Sequence, residues 1–276
     1  MKTAEGILLW ASLFSYLGAF ALFLVGILFS HQRVGRWAWG VAWAGFAAES
    51  GAMAVRWVAT GHPPVQGEFE SALAGSWALV LVYLAGSAWF RWVRPVGVVL
   101  IPGLLLMIGL TLGGPSTAHA PLAPPYQSNW LWIHVGFAWI AFGGFATAAG
   151  LGVAYLLLER SRRQGRPSRL DAWFPDLQRI DDLMLRFVAF GFIGQGLMIA
   201  AGSIWASDLW GSYWSWDPVE TWSLVTWLVY GVFLHLRLVM RWKGRRNAWF
   251  MVGALVVGII SIWGIGFASQ FHTPLL

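Results

Sequence analysis

Apolar runs of about 20 residues, the length that an α-helix needs to cross a bilayer, recur along the whole chain with short polar segments between them. A transmembrane β-barrel would show short segments of alternating apolar and polar residues instead, and the sequence has none. The pattern predicts an all-α polytopic membrane protein. Its eight transmembrane helices are expected at Ile7–Phe29, Trp37–Val58, Ala72–Phe90, Val96–Leu112, Trp130–Leu158, Leu183–Trp205, Thr221–Leu238 and Ala248–Phe267.

The composition agrees with a chain that lies mostly in lipid. Hydrophobic residues make up 58% and charged residues 11% of the chain, and its mean hydropathy is +0.63. Soluble domains are nearer one quarter charged. The longest stretch without strong apolar character, Glu159–Asp182, is too short for a soluble domain. We therefore expect residues 1–276 to form a single transmembrane domain, without a cleaved signal peptide.

The basic residues are distributed very unevenly between the connections. Of the 18 Lys and Arg residues, 14 lie in the connections after the first, third, fifth and seventh predicted helices, and Arg186 and Arg237 lie at the adjoining ends of the sixth and seventh helices. Only Lys2 and Arg56 lie on the other side. Cytoplasmic connections are rich in Lys and Arg, so both termini are predicted on the outer, periplasmic side of the cell inner membrane. The basic runs are explained as topology signals, and no nucleic-acid partner is predicted. The absence of Cys excludes disulfides and iron–sulfur clusters in this chain.

The predicted external loop at residues 206–220 is unusually aromatic. Between Trp210 and Glu220 it holds four aromatic residues, one Asp and one Glu. Boundary anchoring uses one or two aromatic residues at a helix end. A dense cluster instead forms an apolar platform with a few polar points, which suits a large planar ligand. Asp217-Pro218 followed by Glu220 equally resembles a helix start, with an N-cap, Pro at the first position and an acid in the first turn.

Two of the six histidines share the outer face with this loop. His134 lies about one turn into the fifth predicted helix, and His272 lies just beyond the eighth. Taken alone, the first would more often be a polar helix-end residue and the second a solvated tail residue. Two imidazoles on opposite sides of a planar iron macrocycle are a standard axial pair. Together with the aromatic loop, they predict a haem-iron site.

His235 occupies a different depth. It lies 15 residues beyond Glu220, so about 22 Å along the seventh helix and near the inner leaflet. An ionisable residue at membrane depth is a functional candidate. The alternative is a snorkelling helix-end residue beside Arg237. We assign no role to the other histidines, His31, His62 and His119.

The aromatic loop and the histidine segments also resemble those of a known family. The WWD motif of the haem-handling proteins of cytochrome c biogenesis is matched by Trp210-Gly211-x-x-Trp214-x-Trp216-Asp217-x-x-Glu220-Thr221-Trp222. The family's intramembrane histidine segment is similar to Leu234-His235-Leu236-Arg237. Its two external haem-ligand segments are similar to Gln127-Ser128-Asn129-Trp130-Leu131-Trp132-Ile133-His134-Val135 and, with poorly matching surroundings, Gln270-Phe271-His272. Eight helices with the motif before the seventh resemble the CcsA (ResC) subfamily.

The resemblance implies a component of a cytochrome c synthetase (haem lyase) whose substrate and ligand is haem b. It implies a CcsB (ResB) type membrane partner, which would supply a second axial ligand to iron bound at His235. Haem would pass to an outer site held by His134 and His272. There it would meet the Cys-x-x-Cys-His segment of an apocytochrome c. The motif residues would line this site, with Trp210, Trp214 and Trp216 against the ring and Gly211, Asp217 and Glu220 shaping the loop or accepting hydrogen bonds.

One stretch departs from the family pattern. Before the third helix the family has Pro, Asn and Glu; here Glu70 is the expected counterpart and the Asn is absent. Arg56, near the outer end of the second helix, could pair with a haem propionate. A pair with Glu49, seven residues earlier on the same helix, is the favoured prediction.

Three alternative functions remain open from the sequence. A shorter, CcmC-like relative would bind and deliver haem without chemistry, but such proteins have six spans. A HemX-like regulatory protein would keep eight spans without a complete haem site. An unrelated transporter would need ionisable residues along a path, and the predicted spans offer only Glu49, Arg56 and His235.

Overall fold

The computed structural model describes residues 2–113, 121–165 and 168–264, and within these ranges it contains helices, turns and no strand. The all-α prediction is confirmed. Three short 3-10 turns and a π-helical turn, Ile260–Gly264, complete the helical structure. The long helices of this part of the chain are α1 (Lys2–Leu28), α2 (Gln32–Thr60), α3 (Gly67–Trp89), α4 (Gly97–Gly113), α5 (Asn129–Arg163), α6 (Leu177–Trp210), α7 (Pro218–Leu238) and α8 (Arg245–Ile259).

Seven of these helices are long and apolar enough to cross a membrane. The eighth, α2, is less apolar and carries Glu49 and Arg56 among its buried residues. Length and composition therefore identify seven spans directly. The count of eight spans, and the outward orientation of both termini, stay predictions.

Helix α5 is the centre of the bundle and packs against α3, α4, α6 and α8. Every residue from Ala141 to Gly152 is buried, and most of them are Gly or Ala. A Cβ added at Gly144 would lie 3.2 Å from the Phe187 carbonyl oxygen of α6. A Cβ at Gly152 would lie 3.0 Å from the Ala248 carbonyl oxygen of α8. Small residues thus let the neighbouring backbones approach closely, as is common between helices in lipid.

The buried charges of α2 pair with other helices. Arg56 forms ion pairs with Glu5 of α1 at 3.0 Å and with Glu70 of α3 at 2.7 Å. Glu49 accepts hydrogen bonds from the Tyr16 hydroxyl at 2.8 Å and the Ser76 hydroxyl at 2.5 Å. The predicted pair between Arg56 and Glu49 is wrong. Residues seven apart lie about 10.5 Å apart along a helix axis, and closer carboxylates are available on α1 and α3.

The ends of α6 and α7 shorten the external loop. Helix α6 continues beyond the predicted end at Trp205 to Trp210, and α7 begins at Pro218. The connection is therefore residues 211–217, called the WWD loop below, and not residues 206–220. At its other end, α6 begins at Leu177, earlier than the predicted Leu183, and a 3-10 turn at Arg169–Ala172 precedes it.

Replacing Arg56 with Ala should strongly destabilise the bundle. The change leaves the carboxylates of Glu5 and Glu70 buried without their shared cation, and removing one partner of a buried ion pair costs about 3–5 kcal/mol. Thermal unfolding of the detergent-purified protein measures the effect. Arg91→Ala is the matched control, because Arg91 is exposed and exposed substitutions usually change stability by about 0.5 kcal/mol or less. Equal midpoints for the two variants would contradict this role for Arg56.

Candidate functional site

His134 is oriented by a backbone carbonyl of the neighbouring helix. Its Nδ1 lies 2.8 Å from the Met198 carbonyl oxygen of α6. A carbonyl can only accept a hydrogen bond, so Nδ1–H donates and the lone pair of the neutral ring lies on Nε2. Histidines that ligate metals are commonly held in this way, with the other ring nitrogen bonded to a carbonyl or carboxylate. The tautomer thus suits axial ligation through Nε2.

Two further residues of α6 fix the position of the imidazole. A Cβ added at Gly202 would lie 2.5 Å from Nδ1 of His134, so only Gly leaves room for this ring position. The Trp205 ring stacks beside the imidazole, with centroids 6.3 Å apart and planes 27° apart. Gly202 and Trp205 were not among the predicted site residues. They share one face of α6 with Met198, but nothing in the sequence places that face against His134.

A partly open cavity of about 160 Å³ lies beside His134. Its walls come from α5, α6, the WWD loop, the start of α7 and the π-helical turn. Pockets for drug-sized ligands measure about 300–1,000 Å³, so this cavity accommodates one edge of a large planar ligand. Four of the predicted site residues line it: His134, Trp210, Trp214 and Glu220.

Glu220 connects the WWD loop to α7. Its Oε2 accepts hydrogen bonds from the Ser215 backbone N–H at 2.8 Å and from the Ser215 hydroxyl at 3.1 Å. At the other end of the loop, Gly211 ends α6 with a left-handed φ of +72°, where a side chain would be strained. Gly211 therefore acts on the loop backbone, and it does not line the cavity.

Asp217 and Trp216 also lie outside the cavity lining. Asp217 is the buried N-cap of α7, and its carboxylate accepts a hydrogen bond from the Val219 N–H at 2.9 Å. This is the helix start that was one of the two predicted roles of Asp217; the other was a place in the wall of a ligand site. Trp216 has a φ of +60°, unusual for a bulky residue, and its side chain is 70% exposed. Its ring contacts Trp214 edge-on, with centroids 5.7 Å apart.

Of the other histidines within the described residues, none lines the cavity beside His134. His235 is exposed on α7, about 26 Å along that helix from Pro218 by its rise per residue. His62 is buried, and its Nδ1 lies 2.8 Å from the Pro63 carbonyl oxygen. His31 is exposed at the N-cap of α2. The predicted second ligand, His272, and the unassigned His119 lie outside the described residues.

Glu70, the expected family counterpart, fixes the segment before α3. While its Oε1 pairs with Arg56, its Oε2 accepts hydrogen bonds from the backbone N–H groups of Val65 at 2.9 Å and Gln66 at 2.8 Å. The Gln66 side chain then accepts a hydrogen bond from the Ala123 N–H at 2.8 Å. The ion-paired cluster therefore positions residues 121–126, which precede α5.

Residues 121–126 in turn support the aromatic wall of the cavity. The indole N–H of Trp205 donates to the Pro125 carbonyl oxygen at 3.0 Å, and that of Trp132 donates to the Tyr126 carbonyl oxygen at 3.0 Å. Burial, with the nearby Glu70 carboxylate adding to it, raises the pKa of the Tyr126 phenol, which therefore stays neutral. Hydrogen bonds thus continue from Arg56 to the tryptophan that stacks on His134.

Comparisons with known proteins find a consistent set of relatives. The family model described as "Cytochrome C assembly protein" matches residues 66–272. The "Cytochrome c biogenesis protein CcsA" of Gloeobacter violaceus is 29% identical, over 80% of this chain and 80% of its own length. The protein of the same name from Chlamydomonas reinhardtii is 34% identical over 76% of this chain and 58% of its own length. That from Guillardia theta is 31% identical over 79% of this chain and 78% of its own length.

A solved structure shares the fold. The chain titled "Cytochrome c Heme Lyase CcmF" superposes with a TM-score of 0.69 at 19% identity. The match covers 99% of the present chain and 50% of the CcmF chain. The present chain therefore spans about half of that larger protein, and at this level of identity the comparison concerns the fold alone.

Gly202→Ala should displace the His134 ring. The added methyl group would lie 2.5 Å from Nδ1, closer than two nonbonded atoms can approach, so the ring should move and its hydrogen bond to Met198 should break, at a cost of about 1–3 kcal/mol for overpacking. The ¹⁵N shift of the His134 Nδ1, and the unfolding midpoint, measure the change. Gly136→Ala is the matched control, because a Cβ at Gly136 meets nothing within 4 Å. An unchanged Nδ1 shift in Gly202→Ala would show that the ring is not held in this way.

Proposed function

Because the chain belongs to the cytochrome c assembly family, we propose that it is the haem-handling component of a cytochrome c synthetase. It moves haem to the outer membrane face and presents it for thioether attachment to apocytochrome c. One observation carries the proposal: an imidazole whose Nδ1–H is held by a backbone carbonyl shares a cavity with the aromatic and acidic residues of the WWD motif. An imidazole suited to iron ligation and aromatic walls suited to a planar ring together support this proposal.

The orientation proposed for the chain in the membrane follows from the distribution of its basic residues between the two ends of the helices. All eight long helices cross the cell inner membrane, and α2 does so because its charges are paired inside the bundle. Both termini and the WWD loop face the periplasm or an equivalent compartment. The basic residues that follow α5 and α7 face the cytosol.

The proposed outer site divides its roles by residue type. His134, through Nε2, and His272 are the axial ligands of the haem iron. Trp210 and Trp214 lie against an edge of the ring. Gly211, Asp217 and Glu220 maintain the backbone of the loop, and the exposed Trp216 extends the aromatic surface where a larger partner can reach it.

Attachment needs little chemistry from the protein. Each cysteine thiol of the Cys-x-x-Cys-His segment adds across one haem vinyl group; a carbon–sulfur bond forms, and the thiol hydrogen ends on the other vinyl carbon. No electrons are gained or lost overall. The protein contributes the position of the ring relative to the thiols, and such orientation can lower a barrier by several kcal/mol. The reactivity belongs to the haem and the thiols.

His235 has a separate role in this proposal. At the opposite end of α7 it is exposed, which makes it accessible to haem and to a neighbouring membrane protein. A CcsB (ResB) type partner supplies the second axial ligand there. Haem then passes from His235 to the outer site.

Replacing both His134 and His272 with Gly should abolish the low-spin absorption of haem in the purified protein. The two ligands are lost but the cavity remains, so added imidazole should restore the spectrum. His235→Ala, which changes the other end of α7, should lower the amount of copurified haem and leave the residual spectrum low-spin. A low-spin spectrum that survives the double replacement without imidazole would refute the ligand assignment. Unchanged haem content in His235→Ala would remove His235 from the route.

Co-expression tests the synthetase activity itself. In a strain without its own maturation system, this chain, a CcsB (ResB) type partner and an apocytochrome c should together yield covalent haem, detected by haem staining after denaturing electrophoresis. The His134→Gly/His272→Gly variant should yield none without imidazole. Haem that copurifies with the chain but is never attached, even with the partner, would favour a CcmC-like delivery role or a HemX-like role. Covalent product without any partner would refute the division of roles.

A further inference from the structure

A second cavity, of about 740 Å³, lies at the other end of α5, where the α7–α8 connection meets the start of α8. Two segments far apart in sequence bring basic side chains to its walls. They are Arg163 from α5 together with Arg241, Lys243, Arg245 and Arg246. A single carboxylate, Glu159, also lines it. Within the described ranges, none of the proposed haem ligands or motif residues lines this cavity.

The charge in this cavity is largely uncompensated. Glu159 is shared between Arg163 and Arg245, with both distances at 3.8 Å. Within the described residues, Arg241, Lys243 and Arg246 form no ion pair with a carboxylate. The first residues of α8 are Arg245 and Arg246, so the positive end of that helix dipole adds to the same field. The cavity therefore favours an anion with more than one oxygen acceptor.

Buried contacts hold the connection in this arrangement against the mutual repulsion of its cations. The Trp242 carbonyl oxygen accepts hydrogen bonds from Arg237 at 2.9 Å and from Asn247 at 3.2 Å. Arg237 is itself buried and paired with Asp181 at 3.0 Å and Asp182 at 2.7 Å. Arg241 adopts a left-handed φ of +56° within the same connection. The backbone that carries the cationic side chains is thus held in place by these hydrogen bonds and ion pairs.

The cavity also has an apolar border. Met240 and Trp249 line it and are 58% and 57% exposed, and Trp is typical of the boundary between headgroups and acyl chains. The cationic cavity thus adjoins exposed apolar side chains at the end of membrane-spanning helices. An anionic phospholipid has the complementary arrangement, with a charged phosphate group next to its apolar acyl chains. Basic pockets between transmembrane helices bind anionic headgroups in this way.

We propose that this cavity binds a phosphate group, and that its source is the headgroup of an anionic phospholipid. The cations contact the phosphate oxygens, and Met240 and Trp249 contact the first carbons of the acyl chains. The signal that fixes membrane topology requires only a number of basic residues on one side. It does not require five of them to converge on one cavity, and Arg33 and Arg36 illustrate the difference, since they follow α1 on the same side without lining it.

Native mass spectrometry of the full chain tests the site. The protein is released from mixed micelles that contain equal amounts of phosphatidylglycerol and phosphatidylcholine. The number of bound molecules of each lipid is then counted. The test variant is Arg241→Asn/Lys243→Gln, since Asn tolerates a left-handed backbone and neither cation is in an ion pair within the described residues. The matched control is Arg33→Gln/Arg36→Gln, which removes the same charge from the same side.

The wild type and the control should retain phosphatidylglycerol in preference to phosphatidylcholine, and the test variant should bind it about 30-fold more weakly, as expected for two lost cations near the headgroups. Unfolding midpoints of the two variants should agree, so that a loss of binding is not a loss of fold. Equal loss in both variants, or no preference for phosphatidylglycerol in the wild type, would overturn the proposal.

A third arm adds inorganic phosphate: if millimolar phosphate displaces the lipid, the ligand is free phosphate and the assigned lipid source is wrong.

Discussion

Close approach of helix backbones along the small-residue stretch of α5 is the constraint on which the rest of the molecule depends. In lipid there is little hydrophobic driving force between helices, so association relies on close contact and on polar pairs. Residues without bulk at Gly144 and Gly152 bring α6 and α8 within van der Waals distance of α5. The N-terminal end of α5 carries His134, and the orientation of that ring depends on how near α6 passes. The packing in the middle of the bundle therefore sets the geometry at its end.

The surroundings of His134 position its ring with backbone groups and a small residue. The Met198 carbonyl selects the tautomer of His134, and Gly202 leaves the volume that the ring fills. Hydrogen bonds through residues 121–126 attach the Trp205 indole to the ion-paired cluster around Arg56. Loss of any one of these contacts would change the position of the His134 ring without removing the ring itself. Ligand geometry of this kind is sensitive to residues that never touch the ligand.

The sequence predicted what depends on local pattern and missed what depends on tertiary proximity. Apolar periodicity located the long helices, and the Asp217-Pro218 start of α7 followed from capping chemistry. The end of α6 was missed, because Trp205 to Trp210 has a composition that suits a helix and an interfacial loop equally. The partners of Arg56 could not be predicted, since Glu5 is 51 residues distant in sequence. Met198 acts through its carbonyl, which every residue has, so its role had no signature at all. Trp214 and Trp216 look equivalent in the sequence, yet only Trp214 lines the cavity.

The length of α5 has a consequence for communication across the molecule. With 35 residues it extends about 52 Å, well beyond the roughly 30 Å hydrocarbon thickness of a bilayer. His134 and Arg163 are therefore about 44 Å apart along one helix. At that separation two unit charges interact by only about 0.4 kcal/mol at an effective dielectric constant of about 20, so each charge at the basic end has little effect on the imidazole at the other. Any signal between the two faces has to travel as a translation or rotation of the helix itself, which makes α5 a mechanical and not an electrical link.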